Sequence, residues 1–164
     1  MGRCPGDPAG IRRRDGAIVS RRQGSDALPS VSWLGYHALC EANRPAYVQY
    51  AEQCITDQAE ARRCVDTVLE ALEDRWITVL ASRCPAARIW TDLRAEAARH
   101  TPRASNRARQ LHAILKPAQA DIVILHHDLD LPIERAAHLM GITDPVAHAL
   151  LRGAERDLAT PFDG

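Results

Sequence analysis

Two adjacent histidines, His126 and His127, are the residues of this chain that most readily suggest catalytic chemistry. An imidazole pair can bind a metal ion or transfer a proton. The neighbouring residues favour a helix, on which adjacent side chains point in different directions. No glutamate stands at the His-Glu-x-x-His spacing of zinc proteases. Because there is also no nucleophile elbow and no phosphate-binding glycine loop, we expect no enzymatic activity and no cofactor.

The cysteines suggest neither a metal site nor a disulfide framework. None belongs to a Cys-x-x-Cys pair and no histidine lies at zinc-finger spacing, so we predict no metal. The count is odd and the N-terminus lacks the apolar core of a secretory signal. We therefore expect free thiols in a reducing cytoplasm, and no membrane association, since no apolar run approaches 18 residues. The five cysteines are Cys4, Cys40, Cys54, Cys64 and Cys84.

A cationic set near the C-terminus could contact nucleic acid. His148, Arg152 and Arg156 recur at helical spacing, with Glu155 among them. Thr143 precedes this helix, where backbone amides can bind a phosphate. The same residues would equally serve as an ordinary solvated helix face.

An acidic set in the first half could contact a protein. Its members lie opposite an apolar stripe at spacing of three to four residues, which is typical of an amphipathic helix. Such a face is most often solvated surface. The four residues are Asp66, Glu70, Glu73 and Asp74.

Charge and periodicity of the whole chain limit these readings. The 164 residues carry 21 Lys and Arg against 21 Asp and Glu, a formal net charge of zero. Any attraction for DNA must therefore be local. The segment 121–125, "DIVIL", is β-prone but short and has helical neighbours, so we predict an all-α fold.

Composition divides the chain into two small helical modules. Residues 1–30 are rich in Gly, Pro and Arg and predict a disordered basic tail. A first module should cover 31–100, a polar linker 101–107 and a second module 108–160; residues 161–164 form a short tail.

Local signals mark several helix ends. Asp57, three residues before Glu60, indicates a helix start, and Pro85 suits a first helical turn. Pro45 predicts a break or kink in the first helix.

The stretch 131–158 has the outline of two helices joined by a tight turn. Gly141 supplies the positive φ of the turn, and Thr143 or Asp144 caps the second helix. We expect the buried stripe of that helix to consist of Val146, Leu150, Ala154 and Leu158.

Two stretches resemble bacterial sigma factors of the extracytoplasmic-function class. "LKPAQADIVILHHDLDLPIERAAHLMGITDPVAHALLRGAERDL" is similar, without gaps, to sigma domain 4. "DQAEARRCVDTVLEALEDRW…CPAARIWTDLRAEAARH" is similar to sigma domain 2. The resemblance covers roughly residues 33–160. It implies that the C-terminal module is a helix-turn-helix of the sigma domain 4 type, whose second helix enters the major groove.

The resemblance also implies partners. The acidic set would bind core RNA polymerase, and the first module would open the −10 element. The set of Thr143, His148, Arg152 and Arg156 would read the −35 element of promoter DNA. Small sigma factors of this class often have an anti-sigma partner. This chain departs from the pattern at Leu150, Glu155 and Asp157, where basic residues are common, and it lacks the aromatic cluster that captures unstacked bases, leaving Trp90 as the main candidate.

Two functions therefore remain open. The first is a transcription initiation protein that binds core polymerase and promoter DNA. The second is a divergent, sigma-derived helix-turn-helix protein that acts through protein contacts without initiating transcription.

Overall fold

The computed structural model describes residues 30–100 and 104–160, and these are almost entirely helical. They contain no β-strand, so the predicted all-α class is confirmed. The predicted tails 1–29 and 161–164 and linker residues 101–103 lie outside the described residues. The helices are α1 (Val31–Cys54), α2 (Gln58–Leu80), α3 (Pro85–Arg99), α4 (Asn106–Ile114), α5 (Pro117–Val123), α6 (Ile133–Met140) and α7 (Asp144–Ala159).

Short polar side chains begin several of these helices by satisfying free backbone amides. Asp57 accepts hydrogen bonds from the amides of Ala59 and Glu60, as its sequence position predicts. Ser105 accepts one from the amide of Ala108 at 3.0 Å and thereby starts α4. The predicted second module therefore has its first helix from Asn106, two residues before the expected boundary.

Of the predicted break or kink at Pro45, the break is absent, because α1 continues through this residue to Cys54. The missing amide of Pro45 costs one intrahelical hydrogen bond. On its C-terminal side the helix buries Tyr47, Tyr50 and Ala51 against its neighbours. Packing on this scale offsets the local penalty of a proline.

The first three helices pack on one another. Tyr36 of α1 donates a hydrogen bond of 2.9 Å to the carbonyl of Leu69 in α2. Its ring meets Trp76 edge-on with centroids 5.9 Å apart. The pair α1–α2 is therefore antiparallel, and α3 returns along α2, with Arg75 and Asp92 joined by a 2.9 Å ion pair.

The last helices form a second compact group. The helix α5 continues into a π-helical turn, Ile124–Asp128. Gly141 ends α6 with φ of 66°, as the sequence predicts, and α7 follows after two residues. The helix α7 packs against both α5 and α6.

These two groups share one hydrophobic core. Ile55 and Ala104 form an antiparallel β-bridge, and the hydroxyl of Ser105 donates to the carbonyl of Gln53. The helix α1 also contacts α4 and the π-helical turn, and α3 contacts α6. The two predicted modules are thus packed together in this structure.

The residues that α7 buries are displaced by about one position along the sequence from the predicted stripe. The helix buries Ala147, Leu151 and Ala154, whereas Val146 is 46% exposed and Leu158 is 41% exposed. Leu150 is only partly buried. The helix is apolar on two adjoining faces, so periodicity alone does not choose between them. Small residues, including Gly153, allow the closer approach to α5 and decide the orientation.

Candidate nucleic-acid and protein-binding surfaces

The exposed face of α7 carries the predicted DNA contacts. His148, Arg152 and Arg156 are all solvent-exposed on this helix. None of them forms an ion pair with another described residue. Glu155 is exposed between them and lies 3.6 Å from His127 of the π-helical turn. The face therefore offers two permanent positive charges and one negative charge, which is weak electrostatics for a DNA-binding surface.

The N-terminus of α7 is open to solvent but carries an acid. Thr143 occupies the N-cap position, and its side chain makes no capping hydrogen bond. Asp144 follows in the first turn. A carboxylate here is favourable for the helix dipole. It also repels a phosphate, so the backbone amides after Thr143 are a poor anion site.

The turn between α6 and α7 is pressed against the start of α3. A side chain on Gly141 would place its Cβ 2.2 Å from the backbone nitrogen of Ala87. The thiol of Cys84 lies 3.3 Å from the carbonyl oxygen of Gly141 and donates to it. Glycine is required at position 141 both for its positive φ and for this approach.

The predicted acidic face of α2 is partly committed within the chain. The carboxylate of Asp66 forms an ion pair with the guanidinium of Arg44 in α1, with 2.6 Å between Oδ1 and Nη2. Glu70, Glu73 and Asp74 are exposed and form no ion pair with another described residue. Three of the four predicted carboxylates therefore remain available to an external partner.

Large apolar side chains extend this acidic face toward the C-terminal end of α2. Ile77 is 64% exposed and Leu80 is 50% exposed. Val31 and Leu34 are exposed at the start of α1, at the same end of the antiparallel pair. Exposed apolar residues gathered in this way are typical of interaction surfaces. We call these four residues and the three free carboxylates the α2 surface.

A buried carboxylate, Asp121 of α5, was not singled out by sequence reasoning. It has no solvent exposure. Tyr50 donates to it at 2.6 Å, Trp90 donates through Nε1 at 3.0 Å, and Nε of Arg94 lies 3.1 Å away. Asp121 thus joins α1, α3 and α5 in one polar cluster. The only sequence signal was an acid directly before a run of four apolar residues.

Burial governs the protonation of this cluster. Desolvation raises the pKa of Asp121, while the hydrogen bond from Tyr50 and the charge of Arg94 act in the opposite direction. The pKa of Tyr50 is raised well above its ordinary value, first by desolvation and then by the adjacent Asp121. Tyr50 therefore remains a hydrogen-bond donor at neutral pH. These groups are internal and act as a structural tie between helices.

The remaining chemistry-bearing residues do not form a site. Trp90, the candidate for stacking on bases, is buried in this cluster. His126 is bonded through Nδ1 to the carbonyl of Leu131 at 2.8 Å, and His127 points toward Glu155. Among residues 30–100 and 104–160, no three His, Cys, Asp or Glu side chains are grouped as metal ligands. Nor is any helix in these ranges long and apolar enough to cross a membrane.

Comparison of the chain with models of protein families, with curated proteins and with solved structures finds no match.

Proposed function

We propose that this chain is a sigma-factor-like transcription initiation protein of the cytoplasm, which binds core RNA polymerase and promoter DNA. The observation that carries the proposal is the arrangement of α6, Gly141 and α7. Two helices meet at a glycine turn, and the second presents His148, Arg152 and Arg156 to solvent. This arrangement supports a helix-turn-helix of the sigma domain 4 type, with α7 as the recognition helix.

In this proposal the α2 surface binds core polymerase. Its three free carboxylates attract a basic partner surface, and Ile77 and Leu80 supply apolar area for a stable contact. Asp66, the fourth predicted carboxylate, contributes less because Arg44 already neutralises it. Polymerase binding and DNA binding then use different helices: α2 with the start of α1 for polymerase, and α7 for DNA. A regulatory protein of the anti-sigma kind would compete for one of these surfaces.

The packed arrangement corresponds to an inactive form. Two promoter elements about 17 base pairs apart are separated by about 58 Å at about 3.4 Å per base pair. A single packed body of this length has a radius of gyration of roughly 15 Å. Spanning both elements requires α1–α3 to separate from α4–α7. That separation exposes Asp121 and Trp90 to water, so binding of polymerase and promoter must supply its cost.

A second candidate function is favoured by the shared core. If the buried ties between α1, α3 and α5 do not open, the chain cannot contact both promoter elements. It then acts through the α2 surface as a non-initiating protein that binds polymerase or another regulator. The near-neutral face of α7 agrees with this second candidate.

Two assays with the full chain separate these functions. The first is co-purification with core RNA polymerase, and the second is run-off transcription from a library of promoter fragments. Polymerase binding with specific transcripts supports the initiator. Polymerase binding without transcripts supports the second candidate, and the absence of both binding and transcripts overturns the sigma-like proposal.

A further inference from the structure

A cavity lies between α1, α3 and α4, away from both proposed binding surfaces. Its volume is about 540 Å³, within the range of roughly 300–1,000 Å³ that is typical of small-molecule sites. Most of its wall consists of methyl groups and other small apolar side chains. These are Cys54, Ala95, Ala97, Ala98, Ala104, Ala108 and Pro117.

The polar groups of the lining are cationic or already engaged. Among the residues that the structure describes, the lining contains Arg94, Arg109 and His112 but no carboxylate. Arg94 is balanced by Asp121, so the excess positive charge comes from Arg109. The hydroxyl of Tyr50 is directed to Asp121. The cavity therefore presents an apolar body with a positively charged edge.

The cavity has a floor of fixed shape. Tyr50 is held by its 2.6 Å hydrogen bond to Asp121, and the ring of Trp90 packs on it with centroids 4.6 Å apart. Ala108 and Cys54 are themselves buried parts of the core. The depression thus rests on buried, hydrogen-bonded side chains of the core, as a pre-formed ligand site requires.

We propose that this cavity binds a small organic anion with an apolar body, such as an aromatic carboxylate. The apolar part lies against the alanines of α3 and α4. The anionic group lies at Arg109, a permanent cation that donates one hydrogen bond to Asn106 and has further N–H groups for a ligand. The cavity is bounded by α3 and α4, one from each predicted module, so an occupant stabilises the packed arrangement. The proposal concerns a separate cavity and does not depend on the sigma-like function.

Calorimetric titration of the full chain with 1-naphthoate tests this site. The neutral analogue 1-naphthalenemethanol, with the same ring system, measures the contribution of the charge. We expect saturable one-to-one binding of naphthoate and weaker binding of the alcohol. Absence of saturable naphthoate binding overturns the proposal.

Two variants locate the bound probe. Arg109→Gln should weaken naphthoate binding about three- to fivefold, as for a partly exposed charge pair, and leave the alcohol unchanged. Ala98→Leu fills the cavity from an exposed helix position and should weaken both compounds about tenfold or more. An unchanged affinity in Ala98→Leu, or an equal loss of both compounds in Arg109→Gln, contradicts the proposed site.

Matched controls exclude general effects of substitution. Arg83→Gln removes an exposed arginine outside the cavity, and Ala149→Leu enlarges an exposed alanine of α7. Both should bind naphthoate as the parent chain does. Circular dichroism and thermal melts verify that all four variants are folded, so a loss of affinity reports the cavity. If the controls lose affinity equally, naphthoate binds elsewhere and the proposal fails.

Discussion

Tyr50 of α1 donates a 2.6 Å hydrogen bond to the buried carboxylate of Asp121 in α5, although 71 positions separate the two residues in the chain. This contact links the two predicted modules through their shared core. Trp90 and Arg94 of α3 complete the hydrogen bonding of the same carboxylate. The most buried acid of the described residues therefore lies where the two halves of the fold meet.

Removing the hydroxyl of Tyr50 should destabilise the whole protein. Tyr50→Phe leaves a buried carboxylate oxygen without one of its donors, which costs about 1–3 kcal/mol of unfolding free energy. Tyr47→Phe is the matched control, since Tyr47 is equally buried and its hydroxyl makes no hydrogen bond with another described residue. Urea denaturation measures both. Equal losses of unfolding free energy in the two variants would show that the hydrogen bond to Asp121 does not stabilise the protein.

Gly141→Ala should destabilise the turn between α6 and α7. An alanine there is forced to a φ near 66°, and its Cβ meets the backbone of Ala87. Together these effects should cost about 2 kcal/mol or more. Gly35→Ala is the control: its Cβ would lie 3.6 Å from Trp76, an ordinary contact in a helix interior. That change should stabilise the protein by about 0.5–1 kcal/mol. Thermal melts of both variants decide, and a neutral Gly141→Ala contradicts the described turn.

Charge reversal on the α2 surface should abolish binding to core RNA polymerase. In Glu70→Arg with Asp74→Arg, two exposed carboxylates become cations, while the helical content by circular dichroism should not change. Glu134→Arg reverses an exposed charge on α6 and serves as the control. Co-purification with core polymerase is the measurement. Retained binding in the double variant means that this face is solvated surface only.

DNA binding by the full chain should be weak, with a shallow dependence on salt. The two free arginines of α7, Arg152 and Arg156, predict a slope of about −2 in log affinity against log salt, at about −0.9 per neutralised phosphate. Replacement of either by Gln should weaken binding and reduce the slope by about one. Arg63→Gln on α2 is the control. Fluorescence anisotropy measures the series, and tight binding with a steep slope would mean that other cations carry the contact.

The described cysteines should differ sharply in reactivity toward iodoacetamide. Desolvation raises the pKa of Cys54 and of Cys64 to about 12, so at pH 8 almost all of each thiol remains protonated and unreactive. Cys84 is exposed and should be alkylated first. Because the thiolate population grows with pH, alkylation of folded Cys54 should accelerate as the pH rises toward that pKa. Peptide mapping by mass spectrometry follows each site. Early labelling of Cys54 or Cys64 at pH 8 contradicts their burial.

The sequence alone determined the features that depend on a few neighbouring residues. Asp57 begins α2 because its carboxylate reaches amides two and three residues away. Pro85 begins α3 and Gly141 ends α6 for equally local reasons of backbone geometry. The apolar periodicity of the first half likewise predicts a buried stripe opposite the acidic set, and in the structure α2 buries Leu72 and Trp76 there. Such signals survive in any tertiary arrangement.

Only the tertiary structure decided features that depend on a distant surface. Whether Pro45 interrupts α1 depended on the packing of the residues beyond it, and the face of α7 that is buried depended on how closely α5 could approach. The role of Asp121 depended on Tyr50, Trp90 and Arg94, whose proximity no local spacing encodes. The same holds for the cavity between α3 and α4. Periodicity identifies an apolar face, but burial is a property of two surfaces in contact, and the second surface is selected only when the chain folds.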